Sequence, residues 1–577
     1  MKKILIAAAV VAAGAGAYWA NQQGETANSD SHSILASVPA DTPFFVGQLT
    51  PFPINAYINS ISDGYQTYND DMFTELNNSD DARSKFMLSL AKTYMKSMKS
   101  GDEFVASFGL PDKVHSYFYT LGMLPVIKLE VEKPEAIWSV LDKAEKESGF
   151  THDKRSVKGR DYRAYKLTDK DEDVSVALIF AIADGILTVT FDTSFNEPST
   201  LETALGLLPV SHSLADAGIV EDIIKTHGFS GDSIGYINHQ ELIKAITTKD
   251  GNQLARQLTA FAEQEGEDPF AMVRSEQCHT ELSAIATNWP RTVFGANNGS
   301  ISETQSKINM TSIIESKNQV MLDALSSMRG FIPDYIRNGS DSVFSMGLGI
   351  ELNQFVPALT SIWDEMSAPK YQCQVLQQVQ ESMSGQSPAM LGMFTGMANG
   401  VKGLAVSLID YQFSDDKDNP ALKSVDALIS LSADNPSSLF NMVKPFVPEL
   451  ADVKLNDNGD AIDLSYLLPV PAEYGIKPQM AIKGHHLVVF TGDAGEAKAN
   501  ELANEALSHN GIYSLSANYG KMVSPLIALA EMAGEQVPEE LSMMANDDMQ
   551  MTMGIDVNPN GIVFDSSFDS KIVPSGQ

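Results

Sequence analysis

Val176-Ala-Leu-Ile-Phe-Ala-Ile-Ala-Asp184-Gly185-Ile-Leu-Thr-Val-Thr-Phe191 reads as two strands joined by a two-residue turn. An Asp-Gly pair flanked by β-branched and aromatic residues is a strong hairpin signal, because both turn positions need positive φ. About 300 residues further on, Gln479 to Thr491 repeats the pattern and turns at Lys483-Gly484. The same hairpin at that spacing points to an internal repeat.

Working outward, further segments fall into register in the same order. Thr42 to Leu49 meets Asp341 to Leu348, each a strand-like run after a polar turn. Val126 to Val131 followed by Lys133-Pro134-Glu135 meets Ala427 to Leu431 followed by Asn435-Pro436-Ser437. Proline in the first turn marks a helix start, so both copies read strand then helix. Gly159 to Leu167 corresponds to Gly459 to Leu467, and Glu281-Leu-Ser corresponds to Glu540-Leu-Ser. Each copy then closes on a hairpin, the first ending at Met310 and the second at Ile572.

The pattern predicts an α+β protein of two tandem, internally duplicated units. They span residues 36–312 and 330–574, joined by a connector at 313–329. Each is an antiparallel sheet with segregated amphipathic helices. Met87, Leu90, Tyr94 and Met98 keep helical spacing in the first copy, and Met390, Met393 and Met397 do so in the second.

The N-terminus carries Lys2 and Lys3, an uncharged run from Ile4 to Ala20, and a polar linker at 21–35. Cations before an apolar segment direct export, which places the body in the periplasm. As a helix the run spans roughly 26 Å, and Tyr18 and Trp19 sit like interfacial anchors, so an uncleaved inner-membrane anchor is one reading. A cleaved signal peptide is favoured, because the run is mostly Ala and Gly and Ala15-Gly16-Ala17 fits a cleavage site. No Cys lies near the run, which excludes a lipoprotein.

At 577 residues the chain is too long for one ordinary core. Its formal net charge of −34 is spread along the sequence, which argues against binding nucleic acid or anionic membranes. The two cysteines, Cys278 and Cys373, are a candidate disulfide in an oxidising compartment. With one in each proposed copy, such a bond would staple one half to the other.

The candidate sites are weak. Asp556-Val-Asn558-Pro-Asn560-Gly561 fits the first half of a calcium loop, yet Ser567 stands where the twelfth-position carboxylate belongs. The matching turn Asn297-Asn298-Gly299 has no acid, so an ordinary hairpin turn is the better account. Met549, Met551 and Met553 alternate as a Cu(I) site would want, but Met553 aligns with Phe294, which favours packing. His485 and His486 are adjacent and would face opposite ways in a strand. No hydrolase elbow, zinc helix, P-loop or dinucleotide fingerprint is present, so no catalytic, cofactor or metal residue is assigned.

Leu35-Ala-Ser-Val-Pro-Ala-Asp-Thr-Pro-Phe-Phe-Val46 resembles the opening of a family of uncharacterised bacterial envelope proteins whose exported region begins Pro-Ala-Asp-Thr before a strand. The resemblance covers a dozen residues and implies an exported, non-enzymatic protein. The expected function is therefore non-catalytic binding of a protein partner or apolar ligand between the two repeats, helped by Met-rich surface at Met390, Met393, Met397, Met522 and Met532. An exported hydrolase with dispersed residues and a structural or assembly factor of the envelope are the alternatives.

Overall fold

The computed structural model describes residues 34–65, 81–169, 174–296, 300–337, 342–385, 387–414, 422–457, 459–466, 476–532, 537 and 547–572. The export segment at 1–20, the turn at 297–299 and Glu540 lie outside them. The chain forms two compact units, Met1–Glu315 with Tyr371–Gln378, and Ser316–Lys370 with Val379–Gln577. Both are α+β, and every strand pairing described between named strands is antiparallel.

The first unit contains β1 (Phe44–Gln48), β2 (Ser116–Leu121), β3 (Leu124–Glu130), β4 (Asp153–Val157), β5 (Arg160–Lys166), β6 (Val176–Ala183), β7 (Ile186–Thr193), β8 (Ser233–Asn238), β9 (Arg291–Ala296), β10 (Ser300–Ser302) and β11 (Gln305–Glu315). Their spatial order is β4-β5-β6-β7-β3-β2-β1-β8-β9-β11-β10. The β6–β7 turn is Asp184-Gly185, with φ of +53° and +77°, as the hairpin signal requires.

The second unit contains β12 (Phe344–Gly349), β13 (Val401–Phe413), β14 (Leu422–Ala433), β15 (Ile462–Asp463), β16 (Gln479–Lys483), β17 (His486–Thr491), β18 (Tyr513–Asn518), β19 (Asp547–Asn558) and β20 (Gly561–Ile572). Their order is β15-β16-β17-β14-β13-β12-β18-β19-β20. Strand for strand this is the order of β5-β6-β7-β3-β2-β1-β8-β9-β11.

The ladders also share their register. A row of directly paired residues crosses the first sheet as Phe180, Val189, Ile127, Phe118, Val46, Gly235, Phe294 and Ser312. Its counterpart crosses the second as Met480, Val489, Ile429, Val406, Met346, Leu515, Met553 and Ser566. This places Met553 on Phe294, but Gln48, not Leu49, on Leu348. The sequence register of that strand is one residue out, and with a side-chain period of two such a slip exchanges the faces. The second hairpin likewise turns at Gly484-His485, one residue later than its sequence suggests, with Gly484 at φ +58°.

In the first unit helices pack on the face that carries Leu129, Leu187 and Val189. These are α1 (Ile54–Ile61), α2 (Ala82–Ser97), α3 (Gly101–Phe108) and α4 (Pro134–Ser148). Tyr57 and Ile58 of α1, Phe86 of α2, Phe104 of α3 and Ile137, Leu141 and Ala144 of α4 share one core with Leu129, Leu178 and Leu187 of the sheet. The i, i+4, i+7 spacing along α4 sets that buried stripe, Pro134 opens the helix, and Gly149 at φ +76° ends it. Beside this core Phe44 meets Phe118 edge-on, with centroids 5.3 Å apart, and Phe294 lies over Gly235, where a Cβ would meet its ring at 2.0 Å.

Candidate functional site, an open apolar face

Among the described residues, the corresponding face of the second unit is covered only at its margins. Two adjacent rows of paired side chains cross seven strands. One runs Leu487, Leu431, Leu404, Leu348, Tyr513, Ile555, Phe564, and the other runs Val489, Ile429, Val406, Met346, Leu515, Met553, Ser566. All but Ser566 are apolar or aromatic. On central strands Leu348, Leu404 and Ile429 are 41%, 44% and 46% exposed, whereas Val46 and Phe118 of the first unit are 5% and 8% exposed.

Leu487 and Val489 on β17 pack against Phe440, so the open part runs over the six strands from β14 to β20, roughly 24 Å at about 4.8 Å per strand, and two rows of side chains make it roughly 10 Å wide. A contiguous apolar patch of this kind on a folded protein marks an interaction surface. Among the described residues, helices border it and leave Met346, Leu348, Leu404 and Ile429 exposed. The Pro436–Val443 helix packs on β14 and β17, and the Tyr519–Met532 helix packs on β13 and β19. The opposite face is lined by small residues, among them Ser345, Gly347, Ala405, Ser407 and Ser430. Phe331, Ile332 and Ile336 pack into it, and Leu428 and Val488 share its core with Ala499 and Leu502 of the Gly492–Leu502 helix.

The sequence candidates fall as follows. Asp556 forms a two-armed ion pair with Arg329, at 2.6 and 2.7 Å, and the Asn558 side chain accepts from the N–H groups of Asn560 and Gly561. Those contacts build a turn. Among the described residues no group of three His, Cys, Asp or Glu side chains is placed to hold a metal. Met553 contributes to the open strip, with Met549 and Met551 partly exposed on the same strand. Met390 is exposed on a short 3-10 turn, Met522 and Met532 are partly buried, and the side chains of Met393 and Met397 are outside those described.

His485 is exposed in the hairpin turn, while His486 is sealed in the opposite face with its Nδ1 2.8 Å from Ser432 Oγ. Burial pushes the His486 imidazole down to about 4. Both members of this Ser–His pair are 1% exposed or less, so the pair belongs to the packing and is not presented to a substrate.

Other buried polar groups are similarly committed. In the first unit Glu315 accepts from His227 Nε2 at 2.7 Å and from Arg291 Nε at 2.6 Å. Burial alone would raise that carboxyl, but the two hydrogen bonds outweigh it and hold the pKa below the usual range. Lys128 Nζ donates to Thr188 Oγ1 at 2.8 Å and to the carbonyl of Ala204 at 2.6 Å, at the end of the Pro198–Ala204 helix. Burial, assisted by Arg160, pushes that ammonium down to about 8.

Cys278 and Cys373 form a disulfide, with Cα atoms 4.5 Å apart. Cys373 lies in Tyr371–Gln378, a segment of the proposed second copy that belongs to the first compact unit. The open strip was not singled out from sequence. Its signal was there as the alternation of Leu404, Val406 and Leu408 and of Ile429 and Leu431, but alternation alone does not tell a covered face from an open one.

No helix among the described residues is long and apolar enough to cross a membrane. Comparison of the chain with protein-family models, with curated proteins and with solved structures gave no match.

Proposed function

We propose that this is an exported, non-catalytic protein of the bacterial envelope that binds a protein partner on the open apolar face of its second unit. The observation that carries the reading is the apolar patch of Met346, Leu348, Leu404, Ile429, Met553 and Phe564, each more than a third exposed, on the strands from β14 to β20. A small apolar ligand is normally enclosed over most of its surface, and this strip offers a single wall. A macromolecular partner suits it better. The disulfide and the Lys2-Lys3 export signal support a periplasmic location, and the resemblance to exported envelope proteins agrees with it.

We also infer that the two units descend from one duplicated ancestor, which the shared strand order and register support. On that reading the first unit keeps the covered face and the second has been opened for binding.

The test is binding of Nile red, an uncharged apolar reporter, to the purified chain. The fluorescence gain should fall by more than half in a Leu404→Gln, Ile429→Gln double variant whose thermal unfolding is unchanged. Equal dye binding by the variant would exclude the face as the site.

A further inference from the structure

Resting on that reading, we propose that the partner presents a basic amphipathic helix of about 16 residues. Three observations converge on it. The open part is roughly 24 Å long and 10 Å wide, the length of a 16-residue helix at about 1.5 Å per residue and close to the width of one helix. Its side chains are mostly aliphatic or thioether, with Met346 and Met553 on either side of Leu515 in one row, and such surfaces adapt to the i, i+3, i+4, i+7 ridge of a helix.

Charge supplies the sign. The second unit holds 14 Lys and Arg against 32 Asp and Glu. The helix packed on β13 at Leu352–Ser367 carries exposed Asp364 and no cation, and the Tyr519–Met532 helix carries exposed Glu531 and a single Lys. A partner with Lys or Arg along the margins of its apolar stripe meets an attractive field, whereas an anionic lipid surface or a second copy of this chain is repelled.

The experiment titrates the full chain with three fluorescent peptides of about 16 residues: an amphipathic Lys/Leu helix, the same residues shuffled to scatter the leucines, and a Glu/Leu version of the amphipathic pattern. The Lys/Leu helix should bind about tenfold or more tighter than either control, and about tenfold weaker when salt is raised from about 0.05 to 0.5 M. The Leu404→Gln, Ile429→Gln variant should lose at least that factor.

Equal binding of the shuffled peptide would reduce the effect to counter-charge attraction and overturn the proposal. Equal binding of the Glu/Leu peptide, with sensitivity to the face variant, would remove the charge argument while leaving the binding face intact. Nile red binding that depends on the face, without binding of any peptide, would likewise overturn the helix and keep the face. Flotation with anionic vesicles, or a dimer in sedimentation that the face variant dissolves, would assign the strip to a different occupant.

Discussion

Glu281 holds the backbone of Cys373. Its carboxylate accepts from the Cys373 N–H at 2.9 Å and from the Gln372 N–H at 2.8 Å, one helical turn beyond the Cys278 that is bonded to the same Cys373. The helix Glu276–Asn288 therefore grips one short segment twice, by a covalent bond and by a carboxylate that caps the start of the Gln374–Met383 helix. Reduction, or Cys278→Ser, should lower stability by about 2–5 kcal/mol, and Glu281→Ala by about 1–3 kcal/mol. Urea unfolding of the oxidised and reduced chain measures the first, and an unchanged midpoint would count against it.

The equivalence of Val46 and Met346 gives a comparison with a built-in control. Val46→Ala removes buried methyl groups and should cost about 2 kcal/mol, while Met346→Ala on the open face should stay within about 1 kcal/mol. Equal costs in chemical denaturation would mean that the two faces are covered alike.

For His486 the folded imidazole has its pKa near 4, below the free value of 6.5. Between these values the unfolded chain takes up a proton that the folded chain does not. Stability should therefore fall as pH drops from about 6.5 to about 4, by about 2–4 kcal/mol in all, and then level off. Comparison with His486→Asn across that window isolates the slope belonging to this residue.

Lys128 predicts the opposite end of the scale. Its folded pKa of about 8 lies below the ordinary 10.5, so the unfolded chain holds more protons between those values and stability should rise with pH through them. In Lys128→Met the rise from this site should vanish. Thermal unfolding at several alkaline pH values distinguishes the two chains.

Asp556 is already engaged by Arg329, so calcium should find no purchase at the β19–β20 turn. Adding millimolar Ca²⁺ or a chelator should leave the melting temperature where it was, whereas Asp556→Ala should lower stability by about 1–3 kcal/mol by abandoning a partly buried guanidinium. A calcium-dependent rise in melting temperature would restore the metal reading.

Much of the architecture was legible because local chemistry and tertiary placement agree. Asp184-Gly185 demands positive φ at both positions and obtains it, and Pro134 and Pro436 each open a helix directly after a strand. Register was less legible. Leu49 and Leu348 are alike as residues, yet the ladder pairs Leu348 with the place of Gln48, because a slip of one is invisible to composition and decisive for the face. The open strip was harder still, since Ile127 and Ile429 have the same side chain. What differs is their surroundings: Ile127 packs with Val46, Phe118, Phe44 and Phe294, mostly remote in sequence, whereas Ile429 is 46% exposed.

An uncovered apolar strip also shapes the behaviour of the protein as a colloid. With a sequence pI near 4.5 and a net charge of −34, copies repel one another at neutral pH even while each carries a surface capable of stacking. That repulsion reaches only about 8 Å at physiological salt and fades as carboxylates are neutralised. The acidity of the chain is then what keeps a molecule with an exposed apolar face dispersed, and acidification toward pH 4.5 should bring turbidity before it brings unfolding.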